Sequence, residues 1–309
     1  MAILILLLAL LLLVLGISFG IYRYVLFSPV GDQNDPHHLP RGDQYDPKRD
    51  EMLRYIDDLL ARPHERVSIV SGDGLRLAAD YYPGLSGRPV HICCHGYRGL
   101  GVRDFCGIAQ MLMEQGDGVL LIHQRGQGDS EGHTMTFGIR EREDVLLWAR
   151  YAEQRFGQQT PLFLYGMSMG AATVLMASAL PLPLSVKGIL ADCPFDTPRD
   201  IIVNAAEKMF PHGRILWPFL QVGAFVYGRG LRFGTLCCHD AVKKTGVPIL
   251  ILHGKDDRYV PADMSEPVVA AAPDRVTRIT FPHAGHVMSF FEDAERYASV
   301  TRAFIEACV

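Results

Sequence analysis

Pro161-Leu162-Phe163-Leu164-Tyr165-Gly166-Met167-Ser168-Met169-Gly170 sets a Gly-x-Ser-x-Gly turn directly behind a short apolar run. The run has the length of a buried strand, and Ala171-Ala172-Thr173-Val174-Leu175-Met176-Ala177-Ser178 behind the turn is small and apolar enough for a buried helix. Strand, sharp turn with a serine, then helix is the setting of a nucleophile elbow. Glycines flank such a serine because the turn is strained and leaves no room for a Cβ. An ordinary strand–helix junction can carry the same five residues, so the decision rests on the rest of the chain.

On either side of this stretch, strands and helices alternate. Val67 to Tyr82 contains a hairpin about Ser71-Gly72-Asp73-Gly74, and Pro89 to Cys94 is a strand leading into His95-Gly96-Tyr97-Arg98-Gly99. Further strands are expected at 118–122, 186–191, 247–252 and 276–281, with helices near 103–115, 139–157, 262–272 and 289–307. The alternation implies an α/β fold with a mostly parallel sheet covered on both faces. Residues 196–246 interrupt it with about 50 residues between two strands, including Trp217, Phe219, Phe225 and Tyr227. An insertion after a strand's carboxyl end lies over the place where open α/β sheets bind ligands, so it is expected to be a cap.

The chain has 309 residues, 49% of them hydrophobic and 21% charged, enough for a substantial core. A net charge of −4 without a basic run excludes the electrostatic footprint of a nucleic-acid binder. Seven cysteines are an odd number, and four form the adjacent pairs Cys93-Cys94 and Cys237-Cys238. Neighbours cannot easily reach disulfide geometry, and no Cys-x-x-Cys spacing offers a zinc site. Free, mostly buried thiols are expected, which suits a reducing compartment.

Ala2 to Tyr22 is an unbroken run of apolar or small residues, matching the ~20 needed to span a bilayer. A cleaved signal peptide competes with an anchor, but no Lys or Arg precedes the run and no Ala-x-Ala site follows it. The nearby basic residues Arg23, Arg41, Lys48 and Arg49 all follow the span, which leans towards a cytoplasmic domain. The expected organisation is an anchor over 1–24, a polar linker over 25–50, and one domain over 51–309 with the cap at about 196–246. The linker carries Pro29, Pro36, Pro40 and Pro47 among Asp, Gln and His.

A serine needs a base to take its proton and a third group to orient that base. Two candidate bases lie in Phe281-Pro282-His283-Ala284-Gly285-His286, and two candidate acids in His253-Gly254-Lys255-Asp256-Asp257. Both follow the carboxyl ends of expected strands, on the same sheet edge as Ser168. The order Ser, Asp, His is that of α/β-hydrolases.

Taken together, His95-Gly96-Tyr97, Arg125-Gly126-x-Gly128-x-Ser130-x-Gly132, the elbow, Asp192-Cys193-Pro194, His253-Gly254-x-x-Asp257-x-x-Val260-Pro261 and Ala284-Gly285-His286 resemble the α/β-hydrolase superfamily. The likeness covers roughly residues 65–309 and is to serine hydrolases with a helical cap, similar to membrane-anchored bacterial members. The resemblance implies Ser168 as nucleophile, Asp257 rather than Asp256 as acid, and His286 rather than His283 as base. It also implies backbone N–H groups of Tyr97 and Met169 as the oxyanion hole. No cofactor or metal is implied. The partners implied are a small-molecule acyl substrate and the membrane, through the N-terminal helix. A carboxylic ester is the expected bond; thioesterase, amidase and aminopeptidase chemistry use the same triad, and a non-catalytic tethered binding protein is the alternative from another class. His-Gly-Tyr replaces the His-Gly-Gly-Gly of many lipases, and His123 stands where relatives often carry Asp. His95, His123 and His253 are expected to be structural, and Arg98 a solvent-exposed loop residue.

Overall fold

The computed structural model describes residues 1–28, 34–234 and 236–309. Eight strands, β1 (Glu65–Val70), β2 (Arg76–Tyr82), β3 (Val90–Cys94), β4 (Gly118–Ile122), β5 (Leu162–Met167), β6 (Val186–Asp192), β7 (Ile249–Gly254) and β8 (Val276–Phe281), form one sheet. Their order is β1-β2-β4-β3-β5-β6-β7-β8. The hairpin β1–β2 and the β2–β4 pair are antiparallel, and every later pair is parallel. The order reverses at β3, which has β4 on one side and β5 on the other. The crevice outside the strand ends at such a switch point is where doubly wound sheets bind ligands. Cys94 pairs with Gly166 there, so the loop after β3 and the turn after β5 emerge side by side.

The helices are α1 (Ala2–Val25), α2 (Arg49–Ala61), α3 (Gly101–Asp104), α4 (Cys106–Glu114), α5 (Glu141–Phe156), α6 (Met169–Ala177), α7 (Pro198–Met209), α8 (Trp217–Tyr227), α9 (Cys238–Val242), α10 (Glu266–Ala271), α11 (Ser289–Glu292) and α12 (Ala294–Cys308). Successive side chains of a strand point to opposite faces, and β5 shows it: Leu162 and Leu164 enter one core, Phe163, Tyr165 and Met167 the other. The first core lies under α5, α6 and the cap; the second lies under α2, α4, α11 and α12. All seven cysteines are free thiols, and five of them are buried.

The expected C-terminal helix is split. Asp293 caps α12 by accepting a hydrogen bond from the Arg296 amide at 3.0 Å, which starts a new helix after α11. The polar stretch after α1 is also more than a tether. Residues 29–33 of the expected linker, Pro29 among them, and Thr235 of the expected cap lie outside the described residues. Beyond them Leu39 and Tyr45 are buried in the second core, and Asp43 pairs with Arg258. Two buried apolar side chains, with polar contacts such as Arg103 donating to the His38 carbonyl, hold this stretch against the domain, although its composition is polar.

The cap consists of α7, a short 3-10 turn (Gly213–Leu216) and α8. Its partner is α1. Ser18 and Tyr22 of α1 are buried while the first three turns stand free, and Gly223 of α8 passes so close that a Cβ there would strike the Ser18 carbonyl. Small residues at such crossings let two helix backbones approach. Tyr227 of α8 packs against Phe19 and Tyr22, with ring centroids 5.0 and 5.9 Å apart. The far half of the membrane-length helix thus belongs to the folded domain.

Candidate active site

Ser168 is the N-cap of α6, with φ +52° and ψ −114°. An L-residue holds such a conformation only where its surroundings enforce it. The enforcement comes from both glycines. A Cβ on Gly166 would collide with the Gly170 carbonyl, and one on Gly170 with the Cys94 carbonyl of β3. The Ser168 amide donates to the Asp192 carbonyl at 2.8 Å, which ties the turn to the end of β6.

His286 lies after β8 and meets the serine. Its Nε2 is 3.0 Å from Ser168 Oγ, and its Nδ1 is 2.7 Å from Asp257 Oδ2. A carboxylate only accepts, so Nδ1 carries the proton and Nε2 is left to accept from the serine hydroxyl. Asp257, buried after β7, accepts at Oδ1 from the Tyr259 and Val260 amides, both at 2.8 Å. Those bonds fix the carboxylate so that Oδ2 faces the imidazole. Beneath it, His253 Nε2 donates to the Val260 carbonyl at 2.9 Å, and burial pushes its pKa down, so the ring stays neutral. Asp256 and His283, the other pair in these loops, are exposed and face each other at 3.8 Å, away from the serine.

The loop after β3 runs beside these three residues. A Cβ at Gly96 would stand 3.6 Å from Ser168 Cβ, and Tyr97 and Met169 line the same cavity as Ser168 and His286. Met169 is the first residue of α6, so its N–H has no partner within the helix. The loop is braced from below: Asp104 accepts from the Gly96 amide at 2.8 Å, Arg103 donates to the Arg98 carbonyl at 2.8 Å, and His95 Nδ1 donates to the Gly96 carbonyl at 2.9 Å. Burial pushes His95 down to about 4, so it takes part as a neutral ring that also accepts from the Gln124 amide. His123, in the position of the usual Asp, has Nε2 3.1 Å from Asp80 Oδ2 and Nδ1 accepting from the Asp129 amide. It holds the Arg-Gly loop as a bridge between two segments.

Three contacts were not legible in the residues. Gln44, in the polar stretch, accepts from the His286 amide at 3.0 Å and packs against Gly285. The Tyr97 hydroxyl donates to the Val25 carbonyl at 2.7 Å. Arg98, expected to face solvent, donates to the Tyr24 carbonyl at 2.6 Å and reaches Phe27. The last turn of an α-helix has carbonyls without partners in the helix, so two residues of the loop after β3 cap the end of α1. A lone arginine or glutamine in a loop gives no sign of such a partner.

Ser168 and His286 open into a cavity of about 850 Å³, lined mostly by apolar side chains of the cap and of α1. Trp217 lines it; Phe225 is exposed on the cap surface and Tyr227 packs on α1. Two clusters of metal-ligand types exist among the described residues. One is Cys193 with Asp257 and His286, where burial, Asp192 and Asp257 push the thiol well up and the other two are already bonded to each other. The other, Cys237, His239 and Asp240, joins the cap's return to Asp196 through a 2.7 Å His239–Asp196 contact.

The model of the Alpha/beta hydrolase family matches residues 92–300. An uncharacterized protein of Bacillus subtilis, YqkD, is 24% identical over 222 residues, 70% of each chain. Lysophosphatidylserine lipase ABHD12 of Danio rerio is 27% identical over 191 residues, which cover 59% of this chain and 46% of that protein. The Pyrococcus furiosus esterase Pf2001 superposes with a TM-score of 0.65 at 18% identity, over 82% of this chain and 95% of that one. Est1E of Butyrivibrio proteoclasticus, solved with ferulic acid, gives 0.60 at 20% identity over 78% and 98%. The matched segment runs from β3 to α12 and includes the elbow, the acid loop and the histidine loop, and the chain belongs to the alpha/beta hydrolase family.

Proposed function

We propose that the protein is a membrane-anchored serine hydrolase that cleaves a carboxylic ester with a hydrophobic acyl group. The observation that carries this reading is His286, whose two ring nitrogens bridge Ser168 Oγ and the Asp257 carboxylate. In this mechanism Ser168 Oγ attacks the acyl carbonyl as its proton passes to His286 Nε2. The carbonyl oxygen takes the electron pair and is held by the Tyr97 and Met169 amides. Collapse breaks the ester bond, and His286 gives its proton to the departing alcohol oxygen. Water then attacks the acyl-enzyme as its proton passes to His286; collapse breaks the acyl–Oγ bond, His286 returns the proton to Ser168 Oγ, and the carboxylic acid is released. Asp257 holds the ring in the Nδ1–H form and stabilises the imidazolium formed in each half-reaction.

The mostly apolar lining of the cavity supports a hydrophobic acyl group. A relative named as a lipase agrees with that choice. The anchor rests on α1, which is long and apolar enough to cross a membrane, with Arg23 in its last turn next to the domain. That flank and the free thiols favour a catalytic domain on the cytoplasmic side.

A fluorophosphonate reporter tests the reaction class. Wild-type protein in detergent is expected to be labelled at Ser168 and to hydrolyse aryl butyrate, with both lost in Ser168→Ala. Labelling that survives Ser168→Ala, or never occurs in folded wild type, refutes the reading.

A further inference from the structure

The cavity above Ser168 is not closed by the cap alone. One wall comes from α7 and the turn before α8, through Ile201, Ala205, Met209 and Leu216. The facing wall comes from α1, through Gly20, Ile21, Tyr24 and Val25. Positions i, i+1, i+4 and i+5 share one helix face. Along that face Ile21 and Val25 are half-buried while Gly20 and Tyr24 are exposed, so the wall continues from the interior to the outside. At the rim the Tyr24 hydroxyl lies 3.9 Å from Met209 Sδ, and a Cβ on Gly20 would meet nothing within 4 Å. The rim is therefore open at Gly20.

A second observation concerns the surface around that rim. Met209, Phe210, Ile215, Phe225 and Val226 of the cap are each about half exposed or more, and the α8 of that cap packs along α1. Exposed apolar side chains on a cap that packs along a membrane-length helix are suited to a bilayer and unsuited to water. A helix rises 1.5 Å per residue, so the ~20 residues from Ala2 to Ile21 cross a hydrocarbon core of about 30 Å. That places Gly20 and Ile21 at the end of the apolar span, and Tyr22, Arg23 and Tyr24 at the interface where aromatic and basic residues sit.

We infer that α1 is one wall of the acyl-binding site, and that the acyl chain of a bilayer-resident ester enters laterally past Gly20, between α1 and α7, to reach Ser168. This rests on the serine-hydrolase and anchor readings above. The occupant is a single long acyl chain of an amphiphile whose ester lies at interface depth. The chain stays in apolar surroundings throughout, passing from lipid to the mostly apolar cavity without crossing water. The specificity-determining residues are Gly20, which leaves the port open, and Ile21, which narrows the interior behind it.

The test uses full-length protein in detergent micelles and in phosphatidylcholine vesicles, with 4-methylumbelliferyl butyrate and palmitate as substrates. The readout is the ratio of kcat/KM for palmitate to that for butyrate. Gly20→Phe fills the port, and Ile21→Trp narrows the cavity from the same wall; fluorophosphonate labelling of Ser168 reports that each variant is folded. The ratio is expected to fall at least about tenfold in both variants. A ratio within about twofold of wild type in the labelled variants overturns the inference and leaves the hydrolase reading standing. Wild type that hydrolyses neither ester and takes no label refutes the hydrolase reading itself. The Gly16-x-x-x-Gly20 spacing also suits packing of two membrane helices. Crosslinking that shows Gly20→Phe dissociating a dimer, with the ratio unmoved, assigns the face to a second copy and overturns the acyl route.

Discussion

At the scale of single residues, the site separates two neighbouring carboxylates by environment. Asp257 is buried, held by two amides and bonded to His286, whereas Asp256 is exposed beside His283. Asp257→Asn puts an amide opposite His286 Nδ1 and favours the wrong tautomer, so kcat is expected to fall about a thousand-fold or more. Asp256→Asn changes a solvated surface group, and kcat/KM on aryl butyrate should stay within about twofold. Equal losses in the two variants would remove Asp257 from its assigned role. Asp192 makes a third contrast. Burial pushes its carboxyl up to about 7, although the Tyr297 hydroxyl bond and nearby His286 pull the other way. A carboxyl that is neutral in the fold and ionised in the unfolded chain favours folding in acid. That contribution is complete below the ordinary carboxylate range and is lost as pH rises through about 7. Wild type should therefore lose stability between about pH 4 and 8 by up to a few kcal/mol more than Asp192→Asn, whose amide cannot ionise. Urea unfolding of both proteins across that range measures the difference; parallel profiles would show that Asp192 is ionised in the fold.

At the scale of elements, legibility in the sequence followed local steric demand. The turn after β5 could be read because its geometry admits only glycine at 166 and 170, and that demand is written in adjacent residues. The strands could be read because β3, β4, β5 and β7 are buried along their whole length and appear as short apolar runs. The acid and histidine loops followed from their places after β7 and β8. The division of the C-terminal helix at Asp293 was missed because periodicity continues across it while a side-chain cap interrupts the backbone. The docking of α1 on α8 was missed for another reason. A helix apolar on every face shows no preferred side, so hydropathy cannot tell a free anchor from one packed against protein. The evidence for docking is in Gly223 and Ser18, two small residues about 200 positions apart, whose pairing only the folded chain reveals. Gln44 behaves likewise, since one glutamine among polar neighbours carries no pattern.

At the scale of the whole molecule, these contacts make α1 part of the folded domain. It supplies a wall of the cavity, packs along α8, and offers its terminal carbonyls to Tyr97 and Arg98 of the loop after β3. A helix acting only as a tether can be removed without consequence for a soluble substrate. A helix that positions the loop carrying Tyr97, beside Ser168, cannot. A chain lacking residues 1–27 loses the Tyr97–Val25 hydrogen bond, about 1 kcal/mol net, and the charge-assisted Arg98–Tyr24 bond of about 1.5–3 kcal/mol; it also loses the Arg98–Phe27, Tyr22–Thr134, Met135–Leu26 and Tyr227–Leu15 hydrogen bonds and exposes Gly223 and Tyr227 to water. Part of that loss falls on folding stability and part on the orientation of the Tyr97 amide. The truncated chain should therefore melt at a lower temperature than the full chain in the same detergent. Its kcat on water-soluble aryl butyrate should fall about tenfold or more, a substrate for which the bilayer itself is irrelevant. The comparison separates the two roles, because a tether predicts equal kcat and equal melting for both chains. A positioning helix predicts that Tyr97→Phe in the full chain, which removes the bond to Val25 and keeps the backbone amide, reproduces part of the loss in kcat.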